Sequence, residues 1–142
     1  MYKYCRVFLA AAAIAMISFT SSIANDAAKT KAIVDHHLAA FGAGDMKEVM
    51  ADYTETSVIH VPGAEFRGKE AIQALFTGLF AEFAKPGASF NLTNMVIEGN
   101  VGYIVWNAEI ADNVYELGTD TYVIDGGKIA VQTLATKFIP KK

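Results

Sequence analysis

Residues 68–97 read GKEAIQALFTGLFAEFAKPGASFNLTNMVI, and the fold turns on the change of period inside them. Ile72, Leu75, Phe76, Leu79, Phe80 and Phe83 recur at the spacing of one helical face, the apolar stripe of an amphipathic helix. Pro86-Gly87 ends it, because proline has no amide hydrogen to continue a helical ladder. Beyond that point the residues that suit a pleated surface dominate: Val, Ile, Thr, Tyr and Phe. Residues 89–97, 101–111, 114–124 and 128–139 therefore read as four strands. Glu98-Gly99-Asn100, Asp112-Asn113 and Asp125-Gly126-Gly127 separate them as turns.

Upstream, Ile33, Val34, Leu38 and Phe41 mark a helix over 26–41 that Gly42 should stop. Gly44-Asp45 can cap a second helix running to about Tyr53, with Val49, Met50 and Tyr53 inward. Residues 56–61 read as a strand ended by Pro62-Gly63. Helices grouped before a run of strands give an α+β domain. The expected architecture is a cone-shaped curved antiparallel sheet with three helices packed on its concave face, and a cone has a mouth.

The chain has 142 residues, 53% hydrophobic, enough for one domain with a core and too few for two. A formal charge of −3 without any basic cluster argues against nucleic acid as partner. Lys3 and Arg6 precede thirteen uncharged residues, 7–19, and then Thr20-Ser21-Ser22-Ile23-Ala24. That order is a secretory signal peptide, residues 1–24, with cleavage expected after Ala24 and a periplasmic or secreted product. Thirteen residues fall short of the roughly 20 that span a bilayer, so no membrane association is expected after cleavage. Cleavage leaves the domain at 25–142 with ten bases against fifteen acids, a net −5. It also removes Cys5, the one cysteine, so neither a disulfide nor a cysteine nucleophile remains.

Two segments carry a resemblance. Tyr53-Thr54-Glu55-Thr56-Ser57-Val58-Ile59-His60-Val61-Pro62-Gly63 leads into Phe66-Arg67-Gly68-Lys69-Glu70-Ala71-Ile72, and Gly118-Thr119-Asp120-Thr121-Tyr122-Val123-Ile124-Asp125-Gly126-Gly127-Lys128-Ile129 lies near the C-terminus. Both resemble the SnoaL-like branch of the nuclear transport factor 2-like superfamily. The resemblance implies the cone fold; it does not fix a reaction, since those relatives include isomerases, cyclases, dehydratases and non-catalytic binding modules. Against the ketosteroid isomerase pattern, it places the oxyanion-hole tyrosine at His37 and its supporting tyrosine at Tyr53. A third tyrosine of that network falls on Phe76, which has no hydroxyl, and the second oxyanion-hole donor falls on Asp120. The general base falls on Val61, which can accept no proton, so the known steroid-isomerase route is not expected.

Asp120 is the leading catalytic candidate, because burial among Thr121, Tyr122, Val123 and Ile124 would raise its pKa. If Ile124 pairs with Lys128 across the turn, Asp120 faces Gln132. His37 lies four residues after Ile33 and four before Phe41, on the apolar face, where it can work with Asp120 and be oriented by Tyr53. Phe41, Val61, Phe76, Trp106, Tyr122 and Gln132 are expected to line the pocket, with His60 a further candidate. Alternation puts His60 and Val61 on opposite faces, so His60 faces out if Val61 faces in. No metal and no other cofactor is expected: His36 and His37 diverge on their helix, and no HExxH spacing occurs. Gly42-Ala43-Gly44 joins two helices and is no phosphate loop.

Two functions fit these residues. One is an exported module binding a small apolar or aromatic molecule; the other is a cofactor-independent isomerase, cyclase or dehydratase using Asp120, His37 and Tyr53. The exposed sheet face is expected to form a homodimer.

Overall fold

The computed structural model describes residues 26–142, so the expected signal peptide lies outside the described residues. Helix α1 runs over 26–43. It passes Gly42 and ends at Gly44, whose φ of +65° is the left-handed conformation that closes a helix. The Gly44 amide bonds the Phe41 carbonyl and the Asp45 amide bonds the Ala40 carbonyl, both at 3.0 Å, which satisfies the last turn. Helix α2, Met46–Ala51, starts on Asp45, whose side chain accepts from the Glu48 amide. It stops before Tyr53, at Asp52.

Strand β1 is Val58–Val61, two residues shorter than its apolar pattern. Thr54 and Ser57 use their side chains and backbone in a local turn, with the Thr54 amide 2.8 Å from Ser57 Oγ. Pro62-Gly63 ends β1 as expected and turns the chain into β2, Ala64–Arg67, an edge strand absent from the sequence reading. Phe66 is its one large apolar residue, too little for an alternating pattern. Helix α3, Gly68–Phe83, buries Ile72 and Phe76. Four long strands follow: β3 (Ser89–Glu98), β4 (Val101–Glu109), β5 (Asn113–Asp125) and β6 (Lys128–Pro140).

The six strands form one open sheet in the order β2-β1-β6-β5-β4-β3. Every pairing is antiparallel except β1 on β6, which is parallel, so the sheet is mixed where a purely antiparallel one was expected. Register shifts fall at Leu92/Asn94, Trp106/Ala108, Tyr115/Leu117 and Val123/Ile124. Such bulges bend long strands, and they curve this sheet around its helices. Val34, Val49, Tyr53, Ile59, Ile72, Ile104 and Ile129 fill the space between sheet and helices. The convex face carries Val96, Tyr103, Thr121, Thr133 and His60 along one cross-strand row. None of the described helices is long and apolar enough to cross a membrane.

Candidate ligand-binding site

A cavity of about 150 Å³ opens between the helices and the concave face. Leu38, Phe41, Leu75, Phe76, Leu79 and Phe83 form its helical wall. Phe90, Ile104, Trp106, Tyr115, Tyr122 and Leu134 form most of the sheet wall. The polar groups that reach it are His37, Asp120, Gln132 and Thr136. Phe41, Phe76, Trp106, Tyr122 and Gln132 are among the residues of these walls.

Val61, His60 and Tyr53 do not line it. Val61 is half-buried and packs on the core, because β1 lies beyond the part of the sheet that borders the cavity. His60 is exposed on the convex face, with Nδ1 3.7 Å from Glu65. Tyr53 is buried behind Gln132.

Alternation along β5 puts Gly118, Asp120, Tyr122 and Ile124 on the inner, buried face. Asp120 is 5% exposed, and both its oxygens accept bonds. Trp106 Nε1 donates to Oδ2 at 2.6 Å and Gln132 Nε2 donates to Oδ1 at 2.7 Å. Tyr53 Oη donates in turn to Gln132 Oε1. The Asp120 carboxylate takes the amide nitrogen of the glutamine, which leaves its oxygen to the Tyr53 hydroxyl and fixes its orientation.

The register behind this contact differs from the expected one. Asp125 pairs with Lys128 and Ile124 with Ile129, and the shift between Val123 and Ile124 then sets Asp120 opposite Leu134. Gln132 sits opposite Tyr122 and reaches Asp120 as a diagonal neighbour.

Burial raises the Asp120 carboxyl above its ordinary 3.8, while the bonds from Gln132 and Trp106 and the nearby His37 pull it back. Burial likewise raises the Tyr53 and Tyr122 hydroxyls, helped by the negative charge of Asp120.

His37 is 2% exposed and lies edge-on among the rings of Tyr53, Phe76 and Tyr122, with centroids 5.5–5.6 Å away. Its polar neighbour is Asp52, not Tyr53 as expected: Nδ1 lies 3.3 Å from Asp52 Oδ2. The other Asp52 oxygen is 2.8 Å from Nδ1 of His36, whose Nε2 is 3.4 Å from Glu48. The Asp52 hydrogen bond raises the His36 pKa above 6.5, and the charges of Asp52 and Glu48 add to it. Sequence reasoning passed over Asp52. Its one visible signal is an acid at a helix C-terminus, where the helix dipole disfavours negative charge and a cationic partner is wanted. Among the described residues no group of three or more His, Cys, Asp or Glu is placed to hold a metal ion.

A curved open sheet with three helices packed on it is the nuclear transport factor 2-like class of α+β fold. The model of the SnoaL-like domain matches residues 34–132, and the chain belongs to that family. No curated protein matches it. Among solved structures it is similar to a nuclear transport factor 2-like protein of unknown function from Mesorhizobium loti: 22% identity, TM-score 0.70, covering 79% of this chain and 93% of that one. A similar protein from Burkholderia xenovorans, also of unknown function, gives 20% identity and TM-score 0.66, over 79% and 85% of the two chains. A de novo designed protein with a curved β-sheet gives 13% identity and TM-score 0.65, over 77% and 85%. At these identities the likeness is one of fold.

Proposed function

We propose that this chain binds a small, largely apolar or aromatic molecule in its cavity, with the polar end of that molecule at Asp120. The observation that carries the reading is a single carboxylate, buried and doubly bonded from within, in a cavity whose other walls are mostly aromatic and aliphatic. The volume suits a molecule of about one ring. The basic and apolar N-terminal residues support export and cleavage after Ala24, with binding in the periplasm or outside the cell. The apolar convex face, where Val96, Val101 and Tyr103 are exposed, supports a homodimer through that surface.

Native mass spectrometry of the protein purified from its own host tests the reading. The expected result is a bound small molecule that is lost in Asp120→Ala; an apo mass throughout, with no small aromatic binding on titration, would refute it. A second reading, acid–base catalysis without cofactor by Asp120 assisted by His37 and Tyr53, is favoured by one observation. A carboxyl and an imidazole, those of Asp120 and His37, border one small cavity. Tyr53 would act there only through Gln132.

A further inference from the structure

We infer that Asp52 is a positioning residue for His37: it holds the Nδ1–H tautomer, so that Nε2 is the acceptor offered to the cavity and the preferred occupant carries a hydroxyl. The inference rests on the cavity being the ligand site. Three observations lead to it.

His37 Nδ1 and Asp52 Oδ2 are buried side-chain atoms without a hydrogen-bond partner among the described residues, and they face each other at 3.3 Å. A buried carboxylate oxygen and a buried ring nitrogen are each costly to leave unpaired. The arrangement that relieves both is a proton on Nδ1 directed at Oδ2, an alignment that often tightens only once a site is occupied.

Asp52 is also held in place. Its amide bonds the Val49 carbonyl at 3.2 Å and its carbonyl accepts from the Ile129 amide at 2.8 Å, which ties α2 to β6. His36 occupies its other oxygen. The carboxylate is therefore fixed before any ligand arrives.

The groups around the ring leave no rival for Nδ1. Phe76 is apolar, Tyr53 gives its hydrogen to Gln132, and Tyr122 meets the imidazole ring to ring at a steep angle. Asp120 shares the cavity with His37, and Glu48 meets His36 instead. A neutral imidazole with Nδ1 protonated accepts at Nε2. Asp120, with one donor on each oxygen, retains acceptor capacity as well. Against His37 and Asp120 a carbonyl compound would bring a third acceptor to two others, whereas a phenol brings a hydrogen to share with them.

Nitrogen-15 correlation spectra of the imidazoles, recorded at alkaline pH, decide the matter in the wild-type protein. The Nδ1–H form is expected for His37, and the Nε2–H form would overturn the assignment whatever any variant does. Asp52→Ala should lose that tautomer preference, as should the shape-conserving Asp52→Asn in part. Unchanged spectra in a folded Asp52→Ala protein would also overturn it, since a merely structural Asp52 would cost stability without moving a proton. The ligand half is read with phenol and anisole, which share a ring and differ in the hydroxyl hydrogen. Phenol should bind at least tenfold more tightly, and equal affinities would overturn that half. Binding of neither would instead count against the cavity as the ligand site, a result separate from the tautomer.

Discussion

Gly118→Ala offers a sharp test of how the site is built. Gly118 pairs with Trp106 across β4 and β5, and a methyl added there would stand 2.2–2.4 Å from Cε2, Cζ2 and Cδ2 of the indole. The ring would have to retreat by about 1 Å to reach ordinary contact near 3.5 Å. Gly118 and Asp120 lie on the same face of β5, two residues apart, so a ring pushed off one is drawn away from the other. The 2.6 Å bond from Trp106 Nε1 to Asp120 then opens past the ~3.5 Å limit of a hydrogen bond. A bond to a charged group is worth about 1.5–3 kcal/mol, and overpacking costs about 1–3 kcal/mol more. The expected loss is about 3–5 kcal/mol, a large share of the stability of a domain this size. Trp106 is the one tryptophan, so urea unfolding followed by its fluorescence reads stability and local environment together. Trp106→Phe, being smaller and lacking the donor, should absorb much of the Gly118→Ala penalty when the two are combined, with circular dichroism following the unfolding of these tryptophan-free variants. A Gly118→Ala protein with the wild-type midpoint and emission maximum would refute the reasoning.

Two further outcomes follow from the polar groups. Gln132→Leu should cost about 3 kcal/mol at neutral pH, because it strands the Tyr53 hydroxyl and removes a donor from Asp120, whereas Tyr53→Phe should cost about 1–2 kcal/mol. The Gln132 bond lowers the Asp120 pKa, so its loss raises that pKa further and penalises the charged form. The Gln132→Leu penalty should therefore shrink as pH falls below the carboxyl range, and equal penalties at pH 7 and pH 4 in urea titrations would contradict this. His36, with its pKa raised above 6.5, contributes stability that is complete below 6.5 and lost as pH rises through the folded-state value. His36→Gln should remove that loss, and its size stays under about 1 kcal/mol because the side chain is 44% exposed. Wild-type and variant midpoints that run parallel between pH 5.5 and 8.5 would exclude it.

The sequence by itself determined the class of fold and which face of a helix or strand each inward residue takes. The six apolar positions between Ile72 and Phe83 define α3, and alternation through 114–124 puts Asp120 on the same face as Tyr122. Both patterns are local: burying one face of a helix or strand depends on residues a few positions apart. The tertiary structure decided what depends on distant pairs. Bulges set the register that makes Gln132 a diagonal partner of Asp120, and no local pattern places a bulge. β2 exists because β1 supplies its backbone partners, not because its residues ask for a strand. The packing of α2 against α1 brings Asp52 to His37 across fifteen residues of chain, giving the histidine a carboxylate where the sequence suggested a tyrosine. Val61 was misplaced for the same reason: alternation assigns a face, but only the path of the whole sheet decides whether that face meets the cavity, while His60 points outward as alternation requires once Val61 points in.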